Sequence, residues 1–131
     1  LEKHLALVMD IHHHWIRDEE YIQATDDRVK RVIDSWRGQR PTMHYSYSRD
    51  EHLAVANLGD KTHTEMHDIK MLLERGCKKQ KLRAHSDLLP NRAVNDWALS
   101  FGENFDIQTE AKGKNIAAEQ LYRQHLENTV Q

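Results

Sequence analysis

The apolar positions of this chain fall into short runs that alternate between strand-like and helix-like spacing. Leu5-Ala6-Leu7-Val8-Met9 and Ile11 form a continuous apolar run, interrupted by Asp10 and closed by His12, His13 and His14. A run of this length predicts a strand from Leu5 to Ile11, buried on both faces as in parallel sheets. Ile22, Val29, Val32, Ile33 and Trp36 then recur at helical spacing and predict a helix from about Glu19 to Arg37. Asp18, Asp26 and Asp27 near its start and Arg37 at its end suit the helix dipole, and Gly38 is the stop. Thr42-Met43-His44-Tyr45-Ser46-Tyr47, opened by Pro41, reads as a second strand rich in β-favouring aromatics. Ser48 to Asp60 is polar and irregular. From Thr62 to Arg75 a helix is expected, with Met66, Ile69, Leu72 and Leu73 as its apolar face, Thr62 and Glu65 as its capping box and Gly76 as its end. Cys77 to Arg83 is a basic connector. Asn91 caps a helix carrying Val94, Trp97, Ala98 and Phe101, and Gly102 stops it. Phe105 to Glu110 alternates and predicts a third strand, and Asn115 to about Asn128 a last amphipathic helix. The alternation of strands and helices implies an α/β fold with parallel strands and crossover helices.

Composition narrows the picture. The 131 residues suit one domain, and 38% apolar against 31% charged residues leaves a modest core under much solvated surface. A formal net charge of -2 provides no bulk attraction for nucleic acid, which leaves only a local basic groove. The single cysteine, Cys77, excludes an internal disulfide and a Cys-rich zinc cluster, and points to a reducing compartment such as the cytoplasm. No apolar run approaches the length of a membrane span, and no signal-peptide pattern is visible. The chain begins with Leu1 rather than Met, as a piece of a longer protein would.

The candidate chemistry lies at the strand ends. Asp10 and His13 close the first strand, His44 lies in the second, Glu110 ends the third, and His85 stands in the polar loop Arg83-Ala84-His85-Ser86-Asp87. In parallel neighbouring strands these side chains converge on one rim. Two carboxylates and three imidazoles suit Zn²⁺, Mn²⁺ or Fe²⁺, and more than four ligands favour more than one metal. Such a cluster activates water and clamps a phosphoryl group. Each residue also has a plainer reading: His44 as a satisfied core residue, Glu110 as a cap of the following turn, the histidine run as a solvated loop. His63 and His67 are the competing pair, since i, i+4 spacing would put both on one helix face, but a solvated face is the preferred reading. In Lys78-Lys79-Gln80-Lys81-Leu82-Arg83, the lysines read as a solvated connector, and Arg83, closest to His85, as the phosphate contact.

Four blocks in order, Asp10-Ile11-His12-His13-His14, Ser35-Trp36 with Arg40-Pro41-Thr42-Met43-His44-Tyr45-Ser46, Arg83-Ala84-His85-Ser86-Asp87, and Asp106-Ile107-Gln108-Thr109-Glu110-Ala111-Lys112, resemble the UV damage endonucleases. The resemblance implies a (β/α)₈ TIM barrel of the xylose-isomerase-like type with several Mn²⁺ or Zn²⁺ ions at its C-terminal rim. It implies a nick in damaged double-stranded DNA on the 5′ side of the lesion, through in-line attack of metal-activated water on the phosphodiester. Asp10, His13, His44, His85 and Glu110 fall on the family's metal ligands, and His12 and His14 are left either supporting them or pointing elsewhere. A full barrel needs roughly 200 or more residues, so residues 1–131 are expected to be a single partial barrel domain of about three strands, with an insertion at about 49–82. A position two before His44 that often holds lysine in the family holds Thr42 here. An open sheet of three strands implies self-association or a missing N-terminal half. The alternatives are a metal-dependent sugar isomerase on the same barrel and a non-enzymatic His-rich metal-binding protein.

Overall fold

The computed structural model describes residues 5–109 and 121–128. Its elements run β1 (Met9–Asp10), α1 (Ile11–Asp18), α2 (Asp27–Asp34), β2 (Thr42–Tyr45), α3 (Asp50–Leu53), α4 (Ile69–Glu74), α5 (Lys79–Leu82), α6 (Arg92–Leu99) and β3 (Asp106–Thr109), with 3₁₀ turns at Ala54–Ala56 and Gly59–Lys61. The three strands form a parallel sheet in the order β1-β2-β3. The fold is α/β, and the parallel pairing matches the expectation from the element order. Residues 121–128 are helical, while the rest of the last expected helix lies outside the described residues.

Strand pleating sets the two faces of the sheet. Met9 pairs with Met43, and Met43 with Ile107, in one row; Asp10 pairs with His44, and His44 with Gln108, in the next. Side chains in register on parallel strands share a face, and successive residues alternate. Met9, Met43 and Tyr45 are buried in the core, whereas Thr42 and His44 are half-buried and Asp106 and Gln108 exposed. One face therefore packs under the helices and the other is polar and open. A file of aromatic contacts runs through the core: Trp15 stacks on Tyr21 at 5.4 Å, Tyr21 meets Trp97 edge-on at 4.9 Å, and Trp97, Phe101 and Phe105 follow at 6.0 and 6.1 Å. All lie in the range where ring quadrupoles add to apolar burial.

Several boundaries differ from the sequence expectation, each for a local reason. The first strand shrinks from Leu5–Ile11 to two residues, and Leu5, Leu7 and Val8 are exposed by 72%, 49% and 58% rather than buried. Among the described residues β1 has a neighbour on one side only, so nothing covers them. Asp10 also acts as an N-cap: its Oδ1 accepts from the His13 amide at 2.9 Å, which starts α1 at Ile11 and puts all three histidines on a helix. The helix expected from Glu19 to Arg37 starts only at Asp27. Glu19 closes α1 at φ +60, and Asp26 caps α2 through the Arg28 amide at 2.8 Å. Arg37 and Gly38, at φ +50 and +88, turn the chain after α2, as the glycine stop implied. The Thr62–Glu65 capping box does not form. The Thr62 hydroxyl bonds back to Gly59 O, and Asp68 caps α4 through the Lys70 amide. Two short helices, α3 and α5, occupy stretches read as irregular or as connector. The Asn91 cap is as expected, its Oδ1 accepting from the Val94 amide at 3.0 Å. Among the described residues no helix is long and apolar enough to cross a membrane.

Candidate metal and nucleic-acid site

The open polar face carries two of the expected ligands side by side. Asp10 and His44 are Cα partners across the β1–β2 pairing, with Gln108 completing the row. The cap bond to His13 uses only Oδ1 of Asp10. His44 is held in place from behind by its neighbour Tyr45, which is fully buried on the opposite face and donates to Asn95 Oδ1 at 2.6 Å.

His85 reaches the same region by a different route. Ser48, three residues past β2, forms an antiparallel bridge with His85, and the Ser86 amide donates to Tyr47 O at 2.7 Å. The bridge sets the His85 ring edge-on to His12 at 6.1 Å. His12 is buried, with Nε2 3.0 Å from Ser48 Oγ, and the Ser48 hydroxyl donates to Leu82 O at 2.7 Å. The hydroxyl has one proton, already given to Leu82, so His12 Nε2–H must be the donor to Ser48. Burial pushes the His12 pKa down to about 4. Asp10 opposes that shift, and His85 and His13 reinforce it, so the ring is neutral near pH 7. Of the three adjacent histidines, His12 is the buried one and the one that contacts His85. Its spacing to Trp15 and Ile16, both buried on the same helical face, was the available signal.

The other histidines separate by role. His13 is exposed on α1 and lines, with Asp10, Leu7, Val8 and Arg28, a cleft of about 540 Å³. His14 places Nδ1 3.0 Å from Asp18 and Nε2 3.0 Å from Glu20. Arg28 bridges Glu20 and Asp26, holding the Asp26 carboxyl down at about 2 and Glu20 below its ordinary range. This closed network braces the turn between α1 and α2. The pairing of His63 and His67 on one helix face is not found, because residues 62–66 are not helical. His63 bonds Asp50 at 2.9 Å, while His67 is buried and donates through Nε2 to Thr62 O at 3.0 Å, so it is not on a solvated face.

The structure thus brings Asp10 and His44 onto one row and His85 beside His12, with His13 on the adjoining helix surface. Glu110 lies outside the described residues. Among the described residues no three His, Cys, Asp or Glu side chains close around a common point. The donors present, a carboxylate with one oxygen unused by the cap and an imidazole on the same open face, are of the type that Mn²⁺ and Zn²⁺ accept. Arg83 is exposed at the C-terminal end of α5.

In comparison with known proteins, a family model described as UV-endonuclease UvdE matches residues 2–131. No curated protein and no solved structure matches the chain.

Proposed function

The chain belongs to the UV-endonuclease UvdE family, and on that premise we propose that it acts in a metal-dependent DNA repair endonuclease that hydrolyses a phosphodiester 5′ to a lesion in double-stranded DNA. The accompanying fold reading is the C-terminal part of a (β/α)₈ barrel, in which the open Asp10–His44–Gln108 face is the inner one. Asp10, His13, His44, His85 and Glu110 are the residues that would hold Mn²⁺ or Zn²⁺. A divalent cation bound there supplies Lewis-acid polarisation of the phosphoryl oxygen and charge for the leaving oxygen.

The chain's own residues do the rest. Asp10 presents negative charge to the open face while its cap bond fixes its orientation. His12, neutral and tied through Ser48 to Leu82, braces the His85 ring without adding positive charge beside a cation. Arg83 meets a phosphate of the DNA backbone. The in-register placement of Asp10 beside His44, in a chain matched along almost its whole length by an endonuclease family, carries this reading. The family match favours it over the sugar-isomerase and His-rich metal-binding alternatives.

Nicking of UV-irradiated supercoiled plasmid tests it. With Mn²⁺, irradiated plasmid is expected to relax and unirradiated plasmid to remain supercoiled. EDTA, or Asp10→Asn, should lower the rate at least ~100-fold, beyond what loss of a supporting partner costs. Equal nicking in EDTA would overturn the metal dependence, and equal nicking of both plasmids would overturn the lesion dependence.

A further inference from the structure

The stretch 49–82, read from the sequence as an insertion, contains a basic pocket that the site above does not use. Several basic side chains near the helices are engaged: Arg17 with Asp18, Arg28 with Glu20 and Asp26, Arg49 with Glu51, Lys79 with Glu19. Lys78 and Lys81 make no ion pair with any described residue. They stand at i and i+3 about α5 and line a pocket of about 270 Å³ with His52, Val55, Gly76 and Cys77. Two lysines and a histidine are among its lining residues, and among the described residues no aspartate or glutamate lines it. Like charges at this helical spacing repel, and an anion seated between them relieves the repulsion.

The position of α5 identifies the anion. Its last residue, Leu82, accepts the Ser48 hydroxyl that holds His12 beside His85. Lys81, which lines the pocket, directly precedes Leu82 in the chain, so the pocket adjoins the segment that holds the His12–His85 pair. Arg83 follows directly. We propose that the pocket holds a backbone phosphate of the bound DNA, so that Lys78, Lys81 and Arg83 form a phosphate track along α5 leading to the His12–His85 pair. The proposal rests on the reading of DNA as the substrate. It also revises the view of these lysines as a solvated connector.

The test is the salt dependence of binding to an undamaged duplex, followed by fluorescence anisotropy, for the parent chain, for Lys78→Gln/Lys81→Gln and for the control Lys30→Gln/Lys70→Gln. Each phosphate contact contributes about 0.9 to the slope of log K against log salt. The pocket variant, which gives up one phosphate, is expected to lose about 0.9 from that slope, and to nick with a raised KM and an unchanged kcat, while the control keeps the parent's slope. Unchanged melting temperatures would show that both variants fold. An unchanged slope in the pocket variant, or an equal loss in the control, overturns the proposal and leaves the endonuclease reading standing. If the parent binds no duplex at all, both fail. Inorganic phosphate that stabilises the parent while the DNA slope does not depend on Lys78 and Lys81 would make this a free-phosphate site and would also overturn the proposal.

Discussion

Tyr45→Phe removes one oxygen from the only polar link, among the described residues, between the Tyr45 side chain and α6. Tyr45 is fully buried, and its hydroxyl donates to Asn95 Oδ1 at 2.6 Å. Burial holds the phenol well above its ordinary range, so it remains a donor. Asn95 in turn donates to Leu89 O at 2.8 Å and to Gln124 Oε1 at 3.1 Å, and Gln124 donates to Arg92 O and Asp96 Oδ1. Phenylalanine keeps the ring and its packing, so no cavity forms. What remains is an acceptor, Asn95 Oδ1, buried without its donor, and the expected cost is ~2 kcal/mol. Asn95→Ala breaks three bonds and leaves a void, so it should cost more, ~3 kcal/mol. Urea unfolding followed by circular dichroism reads both, as a lowered midpoint with an unchanged m-value. The double variant should show a coupling of ~1–2 kcal/mol between the two sites. A Tyr45→Phe cost under ~0.5 kcal/mol, or a coupling near zero, would refute the claim that this bond anchors the strand carrying His44.

Other consequences follow from the same contacts. Arg40 donates to Asp106 and to the carbonyls of Gly102, Glu103 and Phe105, tying the segment before β2 to the loop that follows α6 and to the start of β3. Arg40→Ala should cost ~1 kcal/mol in thermal or urea unfolding, and Arg40→Lys should recover less than half, because an ammonium lacks the guanidinium fork. His67→Ala should cost ~1–3 kcal/mol by emptying the buried ring site and removing one of the three donors to Thr62 O, which keeps Tyr47 and Asn91, yet leave Mn²⁺ binding, measured by isothermal titration calorimetry, as in the parent. Exposed Leu7 and Val8, beside the edge of β1 that has no strand partner among the described residues, predict concentration-dependent association in sedimentation velocity, which Val8→Lys should reduce.

The parts of the fold legible in the sequence were those governed by a local rule acting alone. Thr42 to Tyr45 shows strand character with no competing signal, and Asn91 sits before an apolar helical face with no rival cap. Where two rules competed, the reading slipped. Asp10 does end the first strand, as its place after an apolar run implied, but its carboxylate also caps the next residues into a helix, so Ile11 and His13 lie on α1 instead of at the strand end. Thr62 and Glu65 have capping-box spacing, but Asp68 lies nearer the buried residues Ile69 and Leu72 and captures the helix start. The ligand candidates at strand positions, Asp10 and His44, were placed by parallel register, which element order foretells. The position of His85 beside His12 depends on the Ser48 bridge, a contact 37 residues apart in sequence that no local pattern encodes. The burial of His12 was not legible because three adjacent histidines look equivalent until the helical phase separates the buried one from the exposed one.

The most direct test of the account is cleavage of a duplex oligonucleotide carrying one photoproduct, incubated with Mn²⁺ and the complete barrel that includes this chain, with the product lengths mapped on a sequencing gel. The account predicts a single cut on the 5′ side of the lesion, abolished by EDTA and by His44→Ala, and absent from the undamaged duplex. A cut that survives His44→Ala at the parent's rate, or one that appears equally in undamaged DNA, would contradict it.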